Sequence, residues 1–263
     1  MADYIDARGS SLHNFSHKPK RIISVVPSQT ELLYHLGLDE EVIGITKFCI
    51  HPDAWFRNKT RVGGTKTLHM DKIKTLQPDL IIANKEENTK EQVETLAREF
   101  PVWVTDITNL ESALEMIDAL GKLTDKTASA TFLKAHIEKE FQQFKQLQVV
   151  NPLRVCYLIW KEPYLTVGGD TFINNMLQHA GFENIFSSEK RYPEITIKGL
   201  QKQRCDVLLL SSEPYPFAQK HISYFEALLP QTKIFLVDGE LFSWYGSRLQ
   251  WAPAYYNSLL QIL

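Results

Sequence analysis

The densest run of chemically capable side chains is Asp238-Gly239-Glu240-Leu241-Phe242-Ser243-Trp244-Tyr245-Gly246-Ser247-Arg248. It places aromatic rings and a guanidinium between Gly239 and Arg248, directly after the apolar strand pattern Ile234 to Val237. Open α/β sheets bind ligands beyond the carboxyl ends of their strands. An aromatic wall with one cation there suits a flat, partly anionic ligand, held by stacking and charge-assisted hydrogen bonds. Trp244 and Tyr245 are the stacking candidates, Arg248 is the charge partner, and Phe242 reads as core. The alternative is that the rings pack under the C-terminal helix, with Arg248 capping that helix or pairing with Glu240.

Further candidates follow other strand ends. Trp160-Lys161-Glu162-Pro163-Tyr164 closes the first strand pattern of the second half, and Trp160 and Tyr164 could form a facing wall. Lys85-Glu86-Glu87-Asn88 follows the strand pattern Leu80 to Ala83; its polar tips either touch ligand, with Lys85 the candidate, or form a solvated charge run. Tyr192 sits in a long irregular connection, and such loops inside compact domains are often functional. For metals, His13 and His17 are polar surface residues, and His51 and His69 lie in loops without an HxxxH or HExxH partner, so no metal site is expected; the alternative is His51 or His69 as an axial ligand to a bound cofactor's metal. GxSxG, P-loop and GxGxxG motifs are absent. The expectation is therefore a binding protein with no built-in cofactor, not an enzyme.

The elements that must position these residues centre on Asp125 to Gln148. Neither glycine nor proline interrupts the chain between Gly121 and Pro152. Ala130, Leu133, Ile137, Phe141, Phe144 and Leu147 recur at helical spacing on one face. At about 1.5 Å per residue this predicts a helix roughly 36 Å long. On either side, short apolar strands alternate with helices, which implies parallel sheets. The predicted organisation is α/β: a lobe over 1–124, a linking helix over 125–151 and a second lobe over 152–263. Ser28 to Glu31 and Thr89 to Gln92 read as capping boxes, Asp170 as a helix cap, Gly121 as a helix stop, and Gly63-Gly64 and Gly168-Gly169 as turn glycines.

A chain of 263 residues with 44% hydrophobic content can bury a core, and its formal charge of −2 carries no basic footprint for nucleic acid. Residues 1–20 contain Asp3, Asp6, His13 and His17 and lack an apolar core of about 7–15 residues, so they read as neither signal peptide nor anchor. Three cysteines form no CxxC pair. On this sequence the expectation is a reduced, cytoplasmic monomer, or a periplasmic one if a leader has been removed.

Arg21-Ile22-Ile23-Ser24 followed by Pro27-Ser28-Gln29-Thr30-Glu31-Leu32 resembles the opening of class III periplasmic binding proteins, the vitamin B12 and iron-siderophore receptors of ABC importers. The resemblance continues through Gly37, Val42-Ile43-Gly44-Ile45, Leu76-Gln77-Pro78-Asp79-Leu80-Ile81-Ile82 and Gly181-Phe182-Glu183-Asn184-Ile185-Phe186. It implies two α/β lobes bridged by one long helix, and a small metal chelate (cobalamin, haem or ferric siderophore) bound between them. The cobalamin-binding members look most similar. They line the cleft with aromatics, which this sequence keeps at Phe48, Trp160 and Tyr192; Thr65 and Asn84 stand where tryptophans are frequent. Family members that serve an importer dock one acidic residue per lobe onto its membrane subunits. Asp71 fits the first position; Lys198 holds the second, with Glu194 nearby. A cytoplasmic sensor or an enzyme reusing the fold is the alternative.

Overall fold

The computed structural model describes residues 6–10, 18–145 and 152–263. The chain forms two compact units. One comprises the described residues up to Ile107 together with Glu111–His136 and Tyr245–Arg248; the other comprises Thr108–Leu110, Ile137–Trp244 and Leu249–Leu263 within the described residues.

The first unit is built on a five-stranded parallel sheet in the order Thr60–Arg61, Val42–Ile45, Ile22–Ser24, Leu80–Asn84, Val102–Thr105. Every residue of Leu80–Asn84 is buried, as a continuous apolar run at the centre of a parallel sheet requires. Ile23, Val25, Ile81, Ala83, Val102 and Val104 join Ile73, Val93 and Leu96 of the flanking helices in one core. An antiparallel pair, Gly63–Gly64 with Thr67–Leu68, projects from this framework. The second unit repeats the plan with four parallel strands in the order Phe182–Asn184, Leu153–Leu158, Val207–Ser211, Lys233–Val237. Cys156, Leu158, Leu208 and Leu210 pack there against Leu200, Phe217 and Phe225. The parallel α/β architecture read from the sequence is the one observed.

The long helix is Thr127–Lys145. Its 19 residues span roughly 28 Å at about 1.5 Å each. It starts later than periodicity suggested, because Asp125 takes a left-handed conformation (φ 57°) and ends the preceding helix, Leu110–Leu123. Residues 146–148 of the predicted span lie outside the described residues. Ala130, Leu133, Ile137, Phe141 and Phe144 are all buried, as their spacing required. Thr127–His136 belongs to the first unit and the remainder to the second.

Several local signals resolve differently from their sequence reading. Gly121 does not stop its helix, which continues to Leu123. It makes room for a neighbour instead: a Cβ there would lie 2.2 Å from the Ala130 Cβ. Pro27 opens the helix Pro27–His35, and its cap residue Val26 makes no side-chain bond, so Ser28 lies inside the helix and Glu31 does not close a box. The cap of Phe172–His179 is Thr171, not Asp170; Asp170 accepts a hydrogen bond from the Arg191 amide. Gly168 and Gly169 carry the backbone of residues 187–191 directly on top of them. Their amides donate to the Arg191 and Glu189 carbonyls at 2.7 and 2.8 Å, and a Cβ on Gly169 would sit 2.0 Å from the Ser187 oxygen. Tyr4 and Ile5 of the expected N-terminal strand lie outside the described residues, and Ala7 to Gly9 form a turn.

Candidate functional site

In the first unit the residue that stands out is Phe48, which keeps 50% of its surface exposed. Its ring is propped from below by Gly64, where a Cβ would approach the ring to 3.2 Å, and the Lys47 ammonium lies 5.0 Å from its centre. An exposed ring fixed in this way loses little freedom when a ligand stacks on it, which lowers the cost of binding. The pair Gly63–Leu68 beneath it is fixed in turn. Gln92 accepts from the Leu68 amide at 2.8 Å and donates to the Lys66 carbonyl at 2.7 Å. Gln92 thus braces this hairpin rather than completing a capping box with Thr89, whose side chain makes no cap bond.

The run Lys85 to Asn88 forms a tight turn organised by two asparagines. The Asn84 side chain accepts from the amides of Glu86 and Glu87 at 2.8 and 3.2 Å; Asn88 accepts from the Asn84 amide and donates to the carbonyls of Val25 and Thr65. Within this turn Lys85 pairs with Asp106 at 2.9 Å and lines a cavity of ≈ 740 Å³ with Arg8 and Lys90, a cavity in whose lining Glu87 takes no part. Glu87 is half-buried, and burial raises its carboxyl pKa above the ordinary value; Glu86 adds to the rise and Lys66 opposes it. Sequence reasoning singled out Lys85 and passed over Glu87, because a run of four polar residues carries no signal of which tip turns inward.

In the second unit Trp160 is 39% exposed and meets Tyr215 edge-on, with centroids 5.9 Å apart. Tyr215, from the loop after Val207–Ser211, was not anticipated. Tyr164 packs against Phe225 and donates to the Tyr224 hydroxyl at 3.3 Å. Burial, reinforced by Tyr224, pushes the Tyr164 phenol well above its usual value, so it serves as a neutral ring and hydroxyl. Tyr192 is half-buried, with the Arg191 guanidinium 5.6 Å from its ring, on the connection pinned over Gly168-Gly169.

The aromatic loop is enclosed. Phe242 is fully buried against Tyr157 and Tyr256, as expected of core. Trp244 and Tyr245 retain only 7% and 5% exposure. The Glu213 carboxylate accepts from both Ser243 Oγ (2.5 Å) and Trp244 Nε1 (2.9 Å). Arg248 meets Glu31, not Glu240: its Nε and Nη2 donate to the two carboxylate oxygens at 3.1 and 2.6 Å. This is the bidentate geometry that Arg favours.

Among the described residues no three His, Cys, Asp or Glu side chains gather as a metal site, and no helix is long and apolar enough to cross a membrane. His13 and His17 lie outside the described residues.

Residues 22–226 match the family described as "Periplasmic binding protein". The chain belongs to this family. Among the relatives it resembles is the vitamin B12-binding protein of Vibrio campbellii, 25% identical over 202 residues that cover 75% of this chain and 73% of the relative. The fold is that of the periplasmic vitamin B12 binding protein BtuF of Vibrio cholerae, with a TM-score of 0.79 at 22% identity over 93% of this chain and 98% of that one. The periplasmic heme-binding protein BhuT, solved with two hemes, is equally similar in fold at 0.79, with 21% identity over 92% and 97%. Proteins of this fold are thus named for different ligands, and ligand choice must come from the residues themselves.

Proposed function

We propose that this chain is a substrate-binding protein that holds a small metal chelate, a corrinoid foremost, and presents it to an ABC importer. The observation that carries this reading is the match to the family over residues 22–226, with relatives named as vitamin B12-binding proteins. Exposed rings at strand carboxyl ends in each unit, Phe48 and Trp160, support it. Tyr164 and Tyr192 extend the aromatic surface beside Trp160, while Trp244, Tyr245 and Arg248 form the supporting loop. Lys85, committed to Asp106, contributes charge at the margin. No residue is assigned a catalytic role. Asp71, exposed in the first turn of Met70–Leu76, and Glu194, exposed on the strand Glu194–Ile195, are the proposed contacts to importer membrane subunits.

The test is an absorbance spectrum of the purified protein, then thermal shifts with cyanocobalamin, haem and a ferric siderophore. A ligand present at 100 times its Kd stabilises the native state by about 2.7 kcal/mol, so a shift of several degrees with one of these chelates is expected. No shift with any of them, accompanied by turnover of a metabolite, would sink the proposal.

A further inference from the structure

The proposed chelates share oxygen atoms that accept hydrogen bonds: carboxamides in cyanocobalamin, carboxylates in haemin, hydroxamates in a ferric trishydroxamate. A residue that fixes such a rim must hold a donor with no acceptor inside the protein, beside a ring on which the ligand stacks. In the second unit the proposed stacking ring is the exposed Trp160, and Tyr215 stands edge-on to it with centroids 5.9 Å apart.

Neighbouring groups set the position of Tyr215. Its amide donates to the Ile159 carbonyl at 3.2 Å, which ties the loop to the strand end that carries Trp160. Its ring lies 4.7 Å from that of the buried Phe217. Its hydroxyl is 3.4 Å from Nε2 of His221, a buried residue in the first turn of the helix Gln219–Leu228. The other ring nitrogen decides the sense of that contact. His221 Nδ1 accepts from the Ala218 amide at 2.9 Å, as the third residue of a helix does when its side chain reaches back to the cap. Nδ1 therefore carries no proton. Burial, with the Lys220 and Lys161 ammoniums, lowers the imidazole pKa and keeps the ring neutral near pH 7. Its one proton is then on Nε2, which donates to the Tyr215 oxygen. The phenol proton is left over. Among the described residues neither it nor the Trp160 indole N–H has an acceptor.

We infer that Tyr215 is a specificity-determining contact: its hydroxyl, oriented by His221, donates a hydrogen bond to a rim oxygen of a chelate stacked on Trp160. The arrangement works in one direction. Nε2–H occupies a lone pair of the phenol oxygen and offers its proton no acceptor, so that proton turns to whatever acceptor the ligand brings. Donation into the oxygen also polarises the hydroxyl and strengthens it as a donor. A rim that presents only donors here leaves the phenol proton unpaired and is disfavoured. His221 touches no ligand and is a positioning residue. The inference rests on the small-chelate reading and deepens it, assigning the site a ligand with carbonyl or carboxylate oxygens around its rim.

The experiment measures Kd for cyanocobalamin, haemin and a ferric trishydroxamate at pH 7 with the wild-type protein, Tyr215→Phe, His221→Asn and the double variant, with the Tm of each. Tyr215→Phe keeps the ring against Trp160 and removes the donor. It should weaken a chelate held through a neutral carbonyl about threefold to tenfold, and haemin, through a carboxylate, by more than about tenfold. Its Tm should fall by no more than about 4 °C. His221→Asn can still accept from the Ala218 amide but is too short to reach Tyr215. It should weaken binding by less than Tyr215→Phe does, and add nothing in the Tyr215→Phe background, as expected of a residue that acts through another. The ¹⁵N shifts of His221 in the wild type should show a protonated Nε2 and a bare Nδ1. Equal affinity of Tyr215→Phe and the wild type, additive losses in the double variant, or a proton on Nδ1 overturns the inference and leaves the small-chelate reading standing. Failure of the wild type to bind any of the three overturns both. If Tyr215→Phe does not fold, 3-fluorotyrosine at position 215, a stronger donor of nearly the same shape, should tighten binding; unchanged or weaker binding overturns the inference as well.

Discussion

Two aromatic segments of this chain are candidates for ligand contact in sequence and end up in opposite environments. A count of rings would rank the loop Phe242 to Tyr245 above the solitary Phe48, yet the loop is enclosed and Phe48 stands half-exposed. The difference lies in what surrounds each. Phe48 rests on Gly64 of the hairpin, with the Lys47 ammonium 5.0 Å from its ring centre, and keeps half of its surface exposed. Around the loop, two carboxylates are engaged: Glu213 on Ser243 and Trp244, Glu31 on Arg248. The Trp244 indole N–H is already engaged by Glu213, whereas half of the Phe48 surface remains in water.

Substitutions can break this contrast. The largest effect is expected for Trp244→Ala, which removes a buried indole and one of the two hydrogen bonds that Ser243 and Trp244 donate to Glu213 Oε1. It should destabilise by about 3–5 kcal/mol and lower Tm markedly; a Tm unchanged within a degree, with lost ligand binding, would return Trp244 to the contact surface. Glu31→Ala leaves the Arg248 guanidinium largely buried without its carboxylate and should cost about 3 kcal/mol in denaturant unfolding. The double variant Glu31→Leu, Arg248→Met should recover part of that loss, and additive losses would show that the pair is not coupled. Phe48→Ala should leave Tm within about 1 °C, since half the ring is already in water, but weaken chelate binding about tenfold or more, on the order of 2 kcal/mol for a stacking contact. Trp160→Ala should do both in moderation: its edge contact with Tyr215 is worth about 1 kcal/mol of stability, and a several-fold loss of affinity is expected by titration. Equal affinity in the Trp160 variant and the wild type would confine the contact surface to the first unit.

Local signals carried most of the framework. The buried stripe Ala130 to Phe144 and the all-apolar Leu80 to Ala83 follow from spacing and side-chain type, which act over a few residues and are printed in the sequence. Helix starts were less legible, because a capping pattern such as Ser28 to Glu31 competes with Pro27, which fixes its own backbone angle and claims the first turn. Glycines were legible as special but not as to why: Gly121 and Gly169 serve close approaches by Ala130 and Ser187, partners that only the folded chain supplies.

The sequence by itself determined two α/β units of parallel strands, a long unbroken helix and the aromatic character of the candidate segments, since periodicity, turn residues and ring content are properties of neighbouring positions. The tertiary structure alone decided which of those rings face outward and which charges are committed. Arg248 finds Glu31 across 217 positions, Trp244 finds Glu213 across 31, and Asn88 anchors to Val25 across 63. Hydrogen bonds and desolvation depend on distance in space, and within Lys85 to Asn88 they alone separate an ion-paired lysine from a carboxyl held partly out of water.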